Sequence, residues 1–371
     1  MRIRINITII VLFFLLLVVM LLRTNTSDDA FSSVDNRRLA ASPFTTGAKG
    51  DNFNRQVDSY LNDRIGFREK FICLNSRIDY YLFSKSPNAK VIIGERGFLF
   101  YNGENAGDGI SMSEYIGGDR YTDDQLSQIA EELTKAKKYL EQKGCEFIVF
   151  IAPNKSRVYS EYMPDVLKRA RISDKCQTDQ IVDYLKANTG IRVVYPYEEL
   201  KDYMNRHPDE PLYYYSDTHW NDLGAYIGAK ALLAELGINI PEPEEVPRVL
   251  TERTYGDLYG MTALGKYPGD KDFSWIFTGI PDEEMEVIIE EDVGDIKYRN
   301  SGKDERRLFV NRDSFCSGMK NILGSEFNDV YLLHTVKYDP DVINEYDPDI
   351  YVYELVERYD NNLLAPAIIP E

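Results

Sequence analysis

A chain of 371 residues is longer than most single domains, yet a doubly wound α/β fold reaches this length around one core. Apolar residues at 43% and aromatics at 12% exclude disorder over most of the chain, and a formal charge of -18 repels phosphate backbones and excludes nucleic acid as a partner. The four cysteines, Cys73, Cys145, Cys176 and Cys316, form no Cys-x-x-Cys pair, so no zinc knuckle or redox motif is indicated, while three disulfide pairings and four free thiols all stay open.

From Ile5 to Leu22 only Asn6 and Thr8 interrupt an apolar run, which as a helix spans roughly 27 Å at 1.5 Å per residue. Arg2 and Arg4 precede it, while Asp28 and Asp29 soon follow Arg23, a bias that leaves the N-terminus in the cytoplasm. The expectation is a signal anchor at 1–23, making a single-pass cell-membrane protein whose remaining chain lies outside the cytoplasm. A cleaved signal peptide is the competing reading, opposed by the length of the run and the lack of a nearby Ala-x-Ala site.

Residues 24–50 are rich in Ser, Thr, Asp, Asn and Gly and read as a stalk. Between Asn52 and Phe83, Phe53, Val57, Tyr60, Leu61, Ile65, Phe71, Leu74, Ile78 and Leu82 recur at helical spacing, with Gly66 as a break, giving a helical neck at 51–90. Val91–Gly94 and Phe98–Tyr101 flank Glu95-Arg96-Gly97 as a hairpin or two short strands. Leu126, Ile129, Ala130, Leu133, Ala136 and Leu140 line one face of a helix over 123–143, and Gly144 ends it before a strand at 146–152.

The same alternation continues with a helix near 174–188, a strand at 191–195, a helix at 223–236, and strands at 307–311, 329–336 and 349–355. Such alternation predicts an α/β domain, here 91–364, with a largely parallel sheet covered on both faces. Acidic, Gly-containing segments break the rhythm at 265–306, which reads as an insertion or lid.

Histidine chemistry must run through His207, His219 or His334, the only three in the chain. In Tyr215-Ser216-Asp217-Thr218-His219-Trp220-Asn221 the aspartate stands two residues before the histidine. On extended backbone both side chains project to one face, so the carboxylate can receive one imidazole N–H and leave the other nitrogen as a base. The structural alternative is that Ser216, Asp217 or Asn221 caps the helix starting near Leu223, with Trp220 in the core. Asp222 could add a metal ligand, but no second histidine lies at metal-motif spacing.

A histidine base needs a nucleophile, and Ser314 follows the strand Arg307-Leu308-Phe309-Val310-Asn311 where the chain turns toward a helix. Such turns place a hydroxyl at the sheet's carboxyl edge, beside N–H groups able to bind an oxyanion. A helix N-cap is the competing reading of Ser314. His334, in the apolar strand Tyr331-Leu332-Leu333, reads as a core residue, and His207 as a solvated loop residue.

Arg312-Asp313-Ser314-Phe315 and Asp217-Thr218-His219-Trp220-Asn221 resemble the SGNH hydrolase-like domain of the alginate O-acetyltransferase family and its relatives in envelope polysaccharide acetylation, the DHHW proteins among them. Asp35-Asn36-Arg37, Gly94 to Tyr101, Ala152-Pro153-Asn154-Lys155, Tyr255-Gly256-Asp257-Leu258 and Glu357-Arg358 are similar to that family's words, so the likeness runs from about Asp35 to Arg358. It implies an SGNH-like, flavodoxin-like three-layer sandwich with a triad of Ser314, His219 and Asp217 and neither cofactor nor metal. The Asp-x-His pair precedes the serine, the permuted order of this family.

Arg312 stands where SGNH enzymes usually have glycine, and Lys155 and Asn221 match family words without an assigned role. The implied activity is O-acetylation of an exported cell-envelope polysaccharide through an acetyl-serine. A membrane-bound O-acyltransferase would supply the acetyl groups. An acetyl esterase with the same triad, and a non-catalytic glycan-binding scaffold, are the alternatives.

Overall fold

The computed structural model describes every residue except 1, 28–29, 33–36, 48, 84, 255, 265–271, 281–284, 292–293, 302 and 371, and no side chain of residues 2–6. Asp35, Asn36 and Tyr255 of the family-like words, and parts of the expected stalk and insertion, therefore lie outside the described residues. The chain divides into two units, residues 1–91 with 259–270, and residues 92–258 with 271–371.

In the first unit the apolar run forms the helix Arg2–Leu22. Among the described residues no helix is long and apolar enough to cross a membrane. Helices Asp51–Arg64 and Arg68–Phe83 follow, separated at Gly66 as its break-forming character predicts. A Cβ on Gly66 would stand 2.7 Å from the Met20 carbonyl oxygen, so glycine is needed for that approach. The buried guanidinium of Arg64 donates to the carbonyls of Ala40 (2.7 Å), Asn25 (3.1 Å) and Ser27 (2.6 Å), which pins the described part of the stalk.

The second unit is built on a seven-stranded sheet. Arg192–Val194, Glu146–Ala152, Ile350–Val356, Asp304–Arg312 and Phe327–His334 lie side by side and parallel. Asp295–Arg299 and Glu286–Glu290 then extend one edge antiparallel. Val310 sits opposite both Val352 and Leu332, which fixes the register at the centre. Side chains alternate between two cores with the strand period of two. Ile148, Phe150, Leu308, Val310 and Val352 pack on one face with the helix Asp222–Glu235, and Phe147, Val149, Phe309 and Tyr351 pack on the other with Asp123–Glu141 and Gln177–Asn188. The α/β, mostly parallel sheet expected from the sequence is present, with both faces covered.

The sequence reading passed over the helix Tyr197–Arg206, although Leu200, Tyr203 and Met204 form its buried face. The segment read as an insertion contains the strand Asp272–Phe277, paired antiparallel to Arg248–Arg253, and the two antiparallel edge strands of the main sheet. All four cysteines are free thiols.

Candidate active site

Strand Asp304–Arg312 ends at the carboxyl edge of the sheet, the edge where open α/β sheets bind ligands. Asp313 shapes the turn that follows. Its Oδ1 accepts the Phe315 N–H at 2.8 Å and its Oδ2 the Val356 N–H at 2.6 Å, while its own N–H donates to Glu354 Oε2 at 2.8 Å. Burial, reinforced by the Asp313 charge, pushes the Glu354 carboxyl well above the usual carboxylate range. Arg312 is buried and donates to the carbonyls of Asp313 (3.2 Å) and Gly294 (3.0 Å) and to Ser317 Oγ (3.1 Å), stapling both sides of the turn.

Ser314 occupies the N-cap of the 3-10 turn Phe315–Gly318 yet makes no capping bond. Its Oγ lies 2.8 Å from His219 Nε2 instead, which separates it from an ordinary cap. His219 Nδ1 lies 2.7 Å from Asp217 Oδ1, and the same oxygen accepts the His219 N–H at 3.1 Å. With Nδ1–H donated to the carboxylate, Nε2 is left to accept the serine proton. Burial works to raise the Asp217 carboxyl, but the bonds from His219 and the Arg253 guanidinium 3.4 Å from Oδ2 hold it well below the usual range.

Capping does operate nearby, at Asn221. Its side chain accepts the N–H groups of Leu223 (3.0 Å) and Gly224 (3.1 Å) at the start of the helix Asp222–Glu235, a contribution of about 1 kcal/mol. Ser216 instead donates to Asp272 Oδ2 at 2.6 Å. Trp220 is core, 2% exposed.

Several neighbours escaped the sequence reading. Lys155 received no role there, yet it is buried with Nζ bonded to the carbonyls of Tyr214 (2.9 Å), Tyr215 (3.3 Å) and Asp217 (2.6 Å). Its signal was a lysine three residues past the end of an apolar strand. Asp257 accepts the Thr218 N–H at 2.8 Å and the Thr218 hydroxyl at 2.7 Å; burial and the Asp217 charge raise its carboxyl. Arg253 stacks over the Tyr214 ring at 4.0 Å, and no local pattern marked it or Asp272. A cleft of about 330 Å³ opens on the site, lined by Tyr214, His219, Arg253, Ser314 and Phe315 among others.

The other sequence candidates lie elsewhere. His334 Nδ1 accepts the Val336 N–H at 3.3 Å, and burial lowers its proton affinity. His207 pairs with Glu244 at 2.8 Å. Asp222 bonds Ser274 and is absent from the Ser314 hydrogen-bond chain. Among the described residues two clusters have ligand-type atoms within 4.8 Å, Asp217, His219 and Asp257, and Glu114, Cys176 and Glu357. In the first, His219 and Asp217 already bond each other and Asp257 bonds Thr218. In the second the Arg157 guanidinium lies 3.4 Å from Glu357 and supplies the positive charge.

Residues 91–270 match the family described as SGNH hydrolase-like domain, acetyltransferase AlgX, the family that the sequence words resemble. This match supports an acyl-transfer or hydrolase enzyme. No curated protein matches the sequence. The fold is similar to that of Bacillus cereus PatB1, at 13% identity and a TM-score of 0.52, over 74% of this chain and 96% of that one. It is equally similar to a DHHW family protein from Eubacterium siraeum, at 16% identity and a TM-score of 0.52, over 68% of this chain and 91% of the other. At such identities the likeness concerns the fold alone.

Proposed function

We propose that this chain is a serine O-acetyltransferase that places acetyl groups on hydroxyls of an exported cell-envelope polysaccharide, with Ser314 as nucleophile, His219 as general base and acid, and Asp217 as its orienter. The observation that carries this reading is the unbroken chain from Ser314 Oγ through His219 (2.8 Å) to Asp217 (2.7 Å), at the mouth of a cleft. The match to an acetyltransferase family favours acetyl as the group transferred.

In the first half-reaction Ser314 Oγ attacks the acetyl carbonyl of a donor ester while its proton passes to His219 Nε2. The Ser314 N–H has no hydrogen-bond partner among the described residues, which supports it as a donor to the oxyanion. His219 returns the proton to the departing alcohol oxygen, leaving acetyl-Ser314. A sugar hydroxyl then attacks that ester, giving its proton to His219, and the serine is restored as the acetylated glycan leaves. Asp217 stays ionised throughout, in keeping with its depressed proton affinity.

A membrane anchor and an extracytoplasmic site belong to this reading on the ground of the apolar run from Ile5 to Leu22 and the arginines Arg2 and Arg4 before it. Acetyl-CoA is absent from that compartment, and the resemblance to the alginate O-acetyltransferase family is the ground for naming a membrane-bound O-acyltransferase as the donor that passes acetyl groups outward. Incubating the protein with acetylated and bare oligosaccharides and weighing the products tests the assignment. Acetyl gain by the bare glycan supports transfer, whereas acetate release without gain makes the protein an esterase.

A further inference from the structure

Between Tyr213 and Trp220, which form a single isolated bridge, the backbone belongs to no helix or strand ladder. A buried segment of that kind must satisfy its peptide groups outside any ladder. Backbone bonds serve two of them, Leu99 N–H to the Tyr215 carbonyl (2.8 Å) and Tyr214 N–H to the His219 carbonyl (3.3 Å). Ionic side chains from three other parts of the chain serve others. Lys155 Nζ takes the carbonyls of Tyr214, Tyr215 and Asp217. Asp272 accepts the N–H groups of Tyr215 (3.0 Å) and Ser216 (2.8 Å), and Asp257 accepts that of Thr218. An ammonium has three donors and no acceptor, so three carbonyls use it fully. Lys155 is 5% exposed, and the rings of Phe98 and Phe100 stand 5.8 and 5.5 Å from its nitrogen.

We propose that Lys155 is a positioning residue of the acyl-transfer site, its ammonium holding the Tyr214, Tyr215 and Asp217 carbonyls in the register that sets His219 against Ser314, and that loss of its proton ends activity on the alkaline side. The inference rests on the acyl-transfer reading. Lys155 bonds neither Ser314 nor His219; it acts through the loop that carries Asp217. A neutral amine has two donors, so one carbonyl of the three is released when the proton leaves.

The charged groups acting on Lys155 are Asp217, within the loop, Asp257, bonded to it through Thr218, and Asp272, at the start of the strand Asp272–Phe277, with His219 beyond Asp217. All three carboxylates favour the ammonium, but burial outweighs them and pushes its proton affinity down to about 8. By linkage this buried ammonium costs folding stability at neutral pH, and the cost fades between about 8 and the ordinary 10.5. The alkaline loss of activity therefore falls where the Lys155 contribution to stability is rising, so the titration of Lys155 does not itself unfold the chain.

The test is the rate of Ser314 labelling by a fluorophosphonate, measured on the full chain across pH 6 to 10, with far-ultraviolet circular dichroism alongside. The wild-type rate should fall above about pH 8 with the spectrum unchanged. Lys155→Met should label roughly 10²-fold more slowly at neutral pH and lose the alkaline fall. Asp257→Asn, which keeps an oxygen for the Thr218 N–H but removes one carboxylate, should shift the fall to lower pH and settles the matter if Lys155→Met does not fold. A wild-type rate flat to pH 10, a Lys155→Met fall like the wild type's, or an unmoved fall in Asp257→Asn overturns the inference while leaving acyl transfer standing. Absence of labelling at every pH overturns both.

Discussion

The indole N–H of Trp220 donates to the carbonyl of Phe315 at 2.9 Å, joining the residue after His219 to the residue after Ser314. The two rings meet edge to face with centroids 5.4 Å apart, and the His219 ring lies 4.9 Å from Phe315. One core tryptophan thus fixes the distance between two segments 95 residues apart. Trp220→Phe would remove the indole donor from the Phe315 carbonyl and leave a cavity, and should lower stability by about 2–4 kcal/mol. Urea unfolding measures the loss, and ester hydrolysis at a temperature where the variant stays folded should still be slower than wild type.

Asp217→Asn keeps shape but permits the amide to donate, which favours the wrong imidazole tautomer. The rate of acetate release from an activated acetyl ester should drop by roughly 10³–10⁴-fold with the fold retained. A loss below tenfold would remove Asp217 from the relay.

Gly256 is set by close approach. A Cβ there would stand 2.2 Å from Asp217 Cβ and 2.6 Å from Asp217 Cα, and the latter is backbone, so the Asp217 segment must move. Gly256→Ala should cost about 1–3 kcal/mol and at least tenfold in rate. Gly260→Ala, whose added carbon meets nothing within 4 Å, is the control and should hydrolyse the ester at the wild-type rate.

The depressed Asp217 carboxyl has a stability consequence with a definite sign. Its contribution is fully present above the ordinary value of 3.8 and is lost as pH falls below it toward the folded-state value. Asp217→Asn should therefore narrow its stability gap to wild type between pH 5 and pH 2, read by urea midpoints. A gap that stays constant over that range would show that the carboxylate gains nothing from its partners.

The residues with chemical signatures were legible because their signals are local. Asp217 and His219 share one stretch of seven residues, and Ser314 follows a strand whose apolar run is plain. The five parallel strands were readable for the same reason, as short apolar runs between helices. What stayed hidden is long-range. Lys155 lies 62 positions before the Asp217 carbonyl it binds, and Asp272 lies 56 positions after the Ser216 N–H it accepts. Nothing in a lone lysine or aspartate announces such a partner. The edge strands Asp295–Arg299 and Glu286–Glu290 were missed because an antiparallel edge is wet on one side, and the exposed, acidic Glu286–Glu290 reads as loop. The Tyr197–Arg206 helix had a readable face and simply sits among denser charge.

The most direct test is intact-protein mass spectrometry after brief exposure to an activated acetyl ester, comparing the wild type with Ser314→Ala. A single added acetyl group, mapped by peptide sequencing to Ser314, absent from the variant and discharged by a sugar hydroxyl, is the expected result. Wild-type protein that acquires no acetyl group, or a Ser314→Ala variant that acquires it equally, would contradict the acetyl-serine mechanism.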